Sequence, residues 1–282
     1  MLISLIVATY NRSEELRELL ESLTKQVYKN FEVLIIDQND KISIDHIVSD
    51  YFTLLDIKHI KSAKKGIAIN KNIGIRHSRG ELITFPDDDC TYYPETIQQV
   101  YDFSMANKHV DMFYGRIYDF ETKTNIIRNW SVKPIRLNKI NFHNNNSAIT
   151  CFNKRKELLF DENFGVGSKY GSGEEFDYIM NALNKGYEVM YTPAISIWHP
   201  LLHVTVMSND KVYYYAKGYG AIFRKNLNLI YGLLFCFSLS FQIIQSLINL
   251  LKADFTTFNK RRIAFKGRIV GFLTFKRSAT TP

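Results

Sequence analysis

A repeated alternation of apolar runs and helical stripes in the N-terminal part of the chain restricts the fold more than any other feature. Residues 2–8 and 31–36 are apolar and rich in β-branched side chains, as buried parallel strands are. Between them, leucines recur at i, i+3, i+4 and i+7 from Leu16, which is the spacing of one helix face. The alternation predicts an α/β fold in which helices cover a mostly parallel sheet.

The same alternation of strand and helix patterns continues further along the chain, apart from one segment that has no regular pattern. Residues 67–77 are a predicted helix, and residues 81–85 are a predicted strand that runs directly into three aspartates. Two separate short strands are predicted at 188–191 and 194–198. Residues 118–146 show no regular pattern, so we predict an irregular segment there.

Polar residues follow three of the predicted strands at the point where each strand ends. Thr9 follows the first strand, Asp37 the second, and Asp87, Asp88 and Asp89 a later one. In open α/β sheets, ligands bind beyond the carboxyl ends of the strands. Crowded carboxylates repel one another, and a bound cation such as Mg²⁺ or Mn²⁺ offsets that repulsion. Taken alone, the acidic run is equally consistent with a solvated turn that caps the next helix.

Two weaker motifs lie in the second half of the chain. Residues 171–177, GSGEEFD, place acids at the start of a predicted helix, where the helix dipole favours them. A carboxylate in that position can also serve as a general base. His199 lies in the sequence Trp-His-Pro after a predicted strand, where a single histidine is more often structural than functional. Its position shortly after the acidic helix makes it a candidate metal ligand.

Taken in order, five segments resemble the family 2 glycosyltransferases, which have the GT-A fold: SLIVATYNR, FEVLIIDQND, NKNIGIRHSRGELITFPDDDC, GSGEEFDY and IWHP. The resemblance implies an inverting enzyme of the bacterial polysaccharide type. Such an enzyme moves a sugar from a nucleotide sugar, expected here to be a UDP-sugar, to a hydroxyl of a glycan or lipid-linked acceptor. The resemblance also implies a divalent metal cofactor, Mn²⁺ or Mg²⁺.

The resemblance assigns roles to individual residues as well. Glu175 stands where the family has its catalytic base, which is usually Asp. The expected metal ligands are Asp87, Asp89 and His199. The residues expected to bind the nucleotide sugar are Thr9, Tyr10, Asp37, Gln38, Lys71, Asn72, Asp87, Asp88 and Glu174. Gln38 and Cys90 stand where many relatives have Asp, and Gln38 leaves the identity of the base open.

We expect residues 1–200 to form the catalytic domain and residues 201–282 to form a helical, basic region that associates with a membrane. Residues 229–251 carry no charge and are long enough to span a bilayer, but Ser238, Gln242, Gln245 and Asn249 form a polar stripe along them. Residues 252–277 hold eight Lys and Arg and one Asp, which is seven of the eight net positive charges. A single span would export this basic segment, so we expect residues 229–277 to lie on an anionic membrane surface. Packing on the catalytic domain or on a second copy is the alternative.

Two other functions stay open at the sequence level. One is a catalytically inactive protein that keeps the fold as a nucleotide-binding scaffold. The other is a nucleotidyltransferase, although residues 8–12 lack the glycine that such enzymes carry after their first strand. A Rossmann dehydrogenase and a P-loop enzyme are disfavoured because neither glycine-rich motif is present.

The remaining sequence features concern partners and compartment. No nucleic acid is expected as a partner, because the basic run adjoins an apolar helix and not a recognition motif. Cys90, Cys151 and Cys236 lie far apart, which argues against a zinc site or a disulfide framework and suits a reducing compartment. We therefore expect a cytoplasmic protein at the inner face of the cell membrane.

Overall fold

The computed structural model describes residues 1–200 and 207–276, which belong to two compact units. The first unit comprises Met1–Phe160 and Ala182–Leu202, and the second comprises Asp161–Asn181 and His203–Pro282. The two domains expected from the sequence, residues 1–200 and 201–282, stay a prediction. Residues 161–181, which include the acidic helix start, group with the C-terminal helices and not with the sheet.

The first unit is built on a ten-stranded mixed sheet. Its strands are β1 (Ile3–Thr9), β2 (Phe31–Asp37), β3 (Ile57–Lys61), β4 (Leu82–Thr84), β5 (Thr91–Tyr92), β6 (Met112–Asp119), β7 (Thr124–Asn125), β8 (Ile135–Leu137), β9 (Cys151–Asn153) and β10 (Val189–Trp198). Its helices are α1 (Glu14–Thr24), α2 (Asp45–Ser49), α3 (Ile67–His77) and α4 (Thr96–Ala106). The strand order is β3-β2-β1-β4-β9-β6-β10-β5, with β7 paired to β6 and β8 paired to β10.

The N-terminal half of this sheet is parallel, as the sequence predicts. Strands β3, β2, β1 and β4 pair in parallel, whereas β9 runs antiparallel to both of its neighbours. Every residue of β2 is buried, and the leucine stripe of α1 packs into the core. Helix α3 packs against β1 at Gly74, where a Cβ atom would lie 2.1 Å from Cγ2 of Ile6. Only glycine fits at that contact.

Two local predictions in the second half of the sheet are wrong. The two short strands predicted at 188–191 and 194–198 are one strand, β10, with a register shift between Tyr191 and Ser196. The segment predicted to be irregular, 118–146, contains β7, β8 and a short 3₁₀ helix. These strands are only two or three residues long, which is too short for a hydrophobic period to mark them. Strand β7 pairs with the preceding strand β6, and β8 pairs with the distant β10.

The second unit is helical. It contains α6 (Asn209–Lys225), α7 (Leu229–Leu251) and α8 (Phe255–Thr274), and most of α5 (Glu174–Asn184). Ser208, Asn228 and Asp254 each cap the next helix by accepting a hydrogen bond from a main-chain N–H. Helix α7 has the bounds predicted from the sequence, and the region is helical as predicted. No separate helices are predicted from the sequence at the positions of α6 and α8.

Helices α6 and α8 pack with their backbones in close contact. A Cβ atom at Gly220 would lie 1.9 Å from the carbonyl oxygen of Arg268, and one at Gly271 would lie 1.9 Å from that of Lys217. The residues that α7 buries are Tyr231, Phe235, Ser238, Gln242 and Ser246, so only Ser238 and Gln242 of the polar stripe are buried. By length and composition α7 is the one described helix that could cross a membrane.

Candidate functional site

The ends of β1 and β2 lie side by side in the sheet, because Thr9 and Asp37 are register partners. Asp37 is buried, and its carboxylate accepts hydrogen bonds from the Asn39 main-chain N–H at 2.9 Å and the Asn39 side chain at 2.7 Å. His59 Nε2 lies 3.0 Å from the same carboxylate. Burial alone would raise the pKa of Asp37, but these hydrogen bonds outweigh it and hold the pKa below its ordinary value. The group is therefore a stable anion at the edge of the sheet.

A small hollow of about 290 Å³ opens beside Asp37, and polar side chains line most of it. The neighbouring residue Gln38 is buried. Its side-chain oxygen accepts hydrogen bonds from Gly66 N at 3.1 Å and Asn70 Nδ2 at 3.0 Å. Tyr10 is exposed, and the ammonium group of Lys65 lies 4.4 Å from the centre of its ring. Gln38 thus ties the end of β2 to α3, which is a contact that the sequence does not reveal.

The acidic run after β4 lies next to His199 because of one short strand pair. Strand β5 pairs antiparallel with the end of β10, with Thr91 opposite Trp198. This pairing places residues just before Thr91 beside residues just after Trp198. Ligand atoms from Asp87, Asp89 and His199 consequently lie within 4.8 Å of one another. The three metal ligands predicted from the sequence are therefore brought together.

His199 is oriented as a metal ligand would be. Its Nδ1 lies 2.7 Å from the carbonyl oxygen of Pro200, which accepts the Nδ1–H hydrogen bond and leaves Nε2 facing Asp89 at 3.2 Å. The ring is buried, and burial alone would lower its pKa. The Asp89 carboxylate outweighs burial and raises the pKa of His199 above its ordinary value.

The donor set of this cluster fits a divalent cation. Oδ1 of Asp89 is buried and accepts no hydrogen bond from a described residue, although His199 lies at ion-pair distance. A buried carboxylate needs compensating partners, and a bound cation would supply one in addition to the imidazole of His199. Two carboxylates and one imidazole suit Mn²⁺ and also Mg²⁺ among the common divalent ions. Asp87, Asp89 and His199 could hold such an ion together.

Arg12 is a member of this cluster that the sequence analysis missed. Its Nη1 lies 2.9 Å from Asp88 Oδ1 and 2.5 Å from Asp89 Oδ2. Burial raises the pKa of Asp88 to about 6, against the opposing effects of Arg12 and the Thr9 hydroxyl. The sequence shows one arginine shortly after the first strand, but no local pattern connects it with the three aspartates. Arg12 offsets part of the negative charge that the three acids accumulate.

Lys71 and Asn72 lie buried on α3, next to the sheet. The Lys71 ammonium group lies 5.5 Å from the ring centre of Phe160 and 6.0 Å from that of Phe85, and it makes no salt bridge with any described residue. The Asn72 side chain donates to the Phe160 carbonyl at 2.9 Å and accepts from the Phe160 N–H at 2.8 Å. Asn72 therefore holds the chain at Phe160. The donor contacts expected of both residues stay predictions.

Glu174 and Glu175 open α5 in the second unit and are half-buried. Two residues further on, the fully buried Asp177 accepts hydrogen bonds from Lys225 Nζ at 2.7 Å and Asn226 Nδ2 at 2.8 Å. Lys225 also pairs with Asp161 at 2.8 Å. This network anchors the first turn of α5 to the end of α6. The catalytic role expected of Glu175 stays a prediction.

Known proteins share both the sequence pattern and the fold. The family model for glycosyl transferase family 2 matches residues 4–162. An uncharacterized glycosyltransferase from Haemophilus influenzae is 29% identical over 207 residues, which is 72% of this chain and 68% of that protein.

Two solved structures resemble the fold. S. aureus TarS 1–349 in complex with UDP-GlcNAc has a TM-score of 0.63 and 19% identity, over 79% of this chain and 66% of that one. The mannosyltransferase PcManGT from Pyrobaculum calidifontis, in complex with GDP-Man and Mn²⁺, has a TM-score of 0.64 and 14% identity, over 96% of this chain and 87% of that one. At these identities the two structures show a shared fold.

Proposed function

Because the chain belongs to glycosyl transferase family 2, we propose that this glycosyltransferase moves a sugar from a UDP-sugar to a hydroxyl of a glycan or lipid-linked acceptor, with inversion at the anomeric carbon. The observation that carries the proposal is the convergence of Asp87, Asp89 and His199 at one edge of a GT-A sheet. That edge lies beyond the carboxyl ends of the parallel strands, where ligands of such sheets bind.

The donor nucleotide is proposed to bind along the ends of β1 and β2. Asp37 is an anion held by His59 and Asn39, and a hollow opens beside it. A carboxylate there can accept hydrogen bonds from a uracil N–H or from ribose hydroxyls. TarS, which shares the fold, was solved with UDP-GlcNAc, and this supports a uridine nucleotide as the first one to test.

Asp87, Asp89 and His199 are proposed to hold Mn²⁺ or Mg²⁺. When bound, the cation would supply Lewis-acid stabilisation of the charge that develops on the departing diphosphate. Mn²⁺ is the first choice because the fold relative PcManGT was solved with it and because an imidazole is among the ligands. Arg12, which contacts Asp88 and Asp89, is proposed to keep the two carboxylates in place.

Glu175 is proposed to act as the general base of the transfer. Its carboxylate takes the proton of the acceptor hydroxyl while that oxygen forms a bond to C1 of the sugar. The bond between C1 and the diphosphate oxygen breaks on the opposite face, and its electron pair leaves with the diphosphate. A single displacement of this kind inverts the anomeric centre and requires only one carboxylate base.

The donor site is tested by isothermal titration of the full chain with UDP, with Mn²⁺ and with EDTA. We expect Mn²⁺ to tighten UDP binding, and Asp89→Asn to abolish that gain. Loss of a direct ligand should exceed the roughly 10- to 100-fold loss in metal affinity that is typical when an outer-shell partner is removed. Asp102→Asn is the matched control, because Asp102 is an exposed acid on α4.

The outcomes separate the candidate functions. UDP binding that is equally tight with Mn²⁺ and EDTA, or equally tight in Asp89→Asn and Asp102→Asn, would refute the metal site. Binding of GDP or TDP in place of UDP would keep the enzyme class and change the donor. A chain that binds nucleotide but neither transfers nor hydrolyses any sugar would favour the inactive scaffold.

The membrane surface is proposed as a second partner, through α7. This helix buries its polar residues Ser238, Gln242 and Ser246 and exposes large apolar ones, including Leu233 at 64% and Phe237 at 71%. Such a helix needs an apolar medium on its outer face. The basic α8 next to it would add attraction to anionic lipid. The inner face of the cell membrane follows as the proposed location.

Vesicle sedimentation tests the membrane proposal. We expect the full chain to bind vesicles that contain anionic lipid more tightly than neutral vesicles. The double substitution Leu233→Gln and Phe237→Gln should weaken this binding by more than about tenfold, because each side chain contributes roughly 1.5–3 kcal/mol when buried. Val132→Gln is the control, since Val132 is 79% exposed in the first unit. Equal sedimentation of the double variant and the control would contradict the proposal.

A further inference from the structure

The second unit contains a partly open cavity of about 690 Å³, lined mainly by residues of α6 and α8, which we call the basic cavity. Two tyrosines, Tyr215 and Tyr219, form part of its wall, and smaller apolar side chains complete that side. Its charged lining residues are Lys260, Arg261, Arg268 and Asp254. The wall therefore carries three cations against one carboxylate.

Arg268 is the most constrained of these cations. Its guanidinium carbon lies 4.4 Å from the ring centre of Tyr219, and Nη1 donates a 2.9 Å hydrogen bond to the Ser238 carbonyl. Its Nε is buried without a hydrogen-bond partner, and the side chain makes no salt bridge with any described residue. Burial lowers the pKa of Arg268, which is the signature of a cation that lacks a neighbouring anion.

The single carboxylate in the wall does not compensate Arg268. Asp254 caps α8, where its side chain accepts a 3.0 Å hydrogen bond from the Thr257 N–H. Arg261 lies 3.5 Å from the neutral Gln242 side chain and makes no salt bridge with a described residue either. An anion bound in the cavity would compensate the charges of Arg261 and Arg268, neither of which makes a salt bridge with a described residue.

The basic cavity lies next to the start of α5 in the same unit. Ser172, two residues before Glu174, lines the cavity, and its hydroxyl donates a 2.7 Å hydrogen bond to the Tyr215 carbonyl. The pKa of Tyr215 is raised by burial and, secondarily, by the Glu174 carboxylate. A Cβ atom at Gly171 would overlap the ring of Tyr214, so the loop before α5 packs tightly on α6. A ligand in the cavity would therefore lie close to the acids that open α5.

We propose that the basic cavity is an acceptor subsite that binds a phosphate group of the acceptor, an inference that rests on the proposed transferase function. Guanidinium groups match phosphate because they present paired donors at the spacing of its oxygens. The Tyr215 and Tyr219 rings supply the apolar surface against which the part of the acceptor next to the phosphate packs. Both a lipid phosphate and a soluble polyol phosphate have this chemistry.

The test measures binding of phosphate-bearing probes to the full chain by isothermal titration, without nucleotide. The probes are inorganic phosphate, glycerol phosphate and farnesyl phosphate, with glycerol and farnesol as uncharged counterparts. We expect at least one phosphate ester to bind at least tenfold more tightly than its uncharged counterpart. Glycerol phosphate alone would indicate a polyol acceptor, and farnesyl phosphate alone a lipid-linked one.

Variants identify the site of binding. Arg268→Gln should weaken binding of the phosphate ester by about tenfold or more, the size expected when a hydrogen-bonded charge is lost. Arg268→Lys should weaken it less, and Arg261→Gln provides a second wall variant in case Arg268→Gln does not fold. Arg262→Gln is the matched control, since Arg262 is exposed on the same helix and does not line the cavity.

The result that overturns this inference differs from the one that overturns the donor site. Equal binding of charged and uncharged probes, or equal losses in Arg261→Gln, Arg268→Gln and Arg262→Gln, would refute the phosphate subsite. UDP binding with Mn²⁺, measured on the same samples, should be unchanged in all of these variants. If UDP fails to bind the unmodified chain while the phosphate ester binds, the donor proposal falls and the anion site stands.

Discussion

The buried ion cluster of Asp161, Asp177 and Lys225 yields the sharpest quantitative prediction. Replacing Lys225 with Met keeps the side-chain volume but removes two contacts, 2.8 Å to Asp161 and 2.7 Å to Asp177. Asp177 is fully buried, and among the described side chains it keeps the Asn226 hydrogen bond at 2.8 Å and a longer contact from Asn181 at 3.4 Å. Removing one partner of a buried pair costs roughly 3–5 kcal/mol.

The loss should depend on pH in a defined direction. Burial already raises the pKa of Asp177, and Lys225 opposes that rise. Lys225 also outweighs burial at Asp161 and holds the pKa of that carboxyl below its ordinary value. A carboxyl whose folded pKa is lowered contributes stability that is present above its unfolded pKa, about 3.9, and is lost as the pH falls through the folded value. Without Lys225 both carboxyls protonate more easily, so the deficit should be largest at neutral pH and should shrink towards pH 4.

Thermal unfolding followed by far-ultraviolet circular dichroism at pH 7.5 and pH 4.5 provides the assay, since the second unit is helical. At pH 7.5 we expect Lys225→Met to lose about 3 kcal/mol, which is a fall in Tm on the order of 5 °C for a chain of this length. Arg224→Met is the matched control, because Arg224 is the exposed neighbour on the same helix and changes the net charge equally. Losses of the same size in both variants, or a deficit that does not change with pH, would refute the reasoning.

Two further predictions concern packing and acid stability. Gly220→Ala should destabilise the chain by about 3 kcal/mol, because the new Cβ would lie 1.9 Å from the Arg268 carbonyl oxygen. Gly232→Ala should stabilise the chain by roughly 0.5–1 kcal/mol, because the site is helical and the nearest atom to the new Cβ would be Leu227 Cδ1 at 3.6 Å. Equal changes in the stability of the two variants in calorimetric melts would contradict the packing argument. Hydrogen bonds outweigh burial and hold the pKa of Glu32 below its ordinary value, so its contribution is present at pH 7 and is lost as the pH falls through the folded pKa. Glu32→Gln should therefore cost about 2 kcal/mol at pH 7 and less at pH 3 in urea titrations, whereas the exposed Glu18→Gln should show no such difference.

The local sequence pattern was sufficient to predict those helices and strands whose residues carry a clear pattern within one continuous stretch. The bounds of α3 and α7 agree with the sequence prediction, and those of β1 and β2 differ by one residue at one or both ends. Strands β1 and β2 are apolar runs that the core buries, and α7 is a long uncharged run, so each can be identified from its own residues. Helices α6 and α8 were not resolved because Gly220, Gly267 and Gly271 weaken a helical prediction while enabling their close packing.

The residues of the candidate metal cluster could be predicted from the sequence, but the tertiary contacts that bring them together could not. Asp87 and Asp89 follow a buried strand, so the sequence marks them as residues at a sheet edge. That His199 joins them depends on the pairing of β5 with β10, which links residues about a hundred positions apart. Arg12 reaches the acids across a comparable gap, and no local pattern reports such a contact.

The sequence by itself determined the chemical inventory of this protein: polar residues after three strands, an uncharged apolar helix, and a basic segment after it. These are properties of neighbouring residues, and composition and period express them directly. Only the tertiary structure decided which of them meet. In the folded protein, Ser238 and Gln242 of the polar stripe of α7 are buried, where they contact the arginines of α8, and the apolar side of α7 is exposed. The tertiary structure also enclosed Arg268 without an anion, because burial and pairing depend on packing between helices that are distant along the chain.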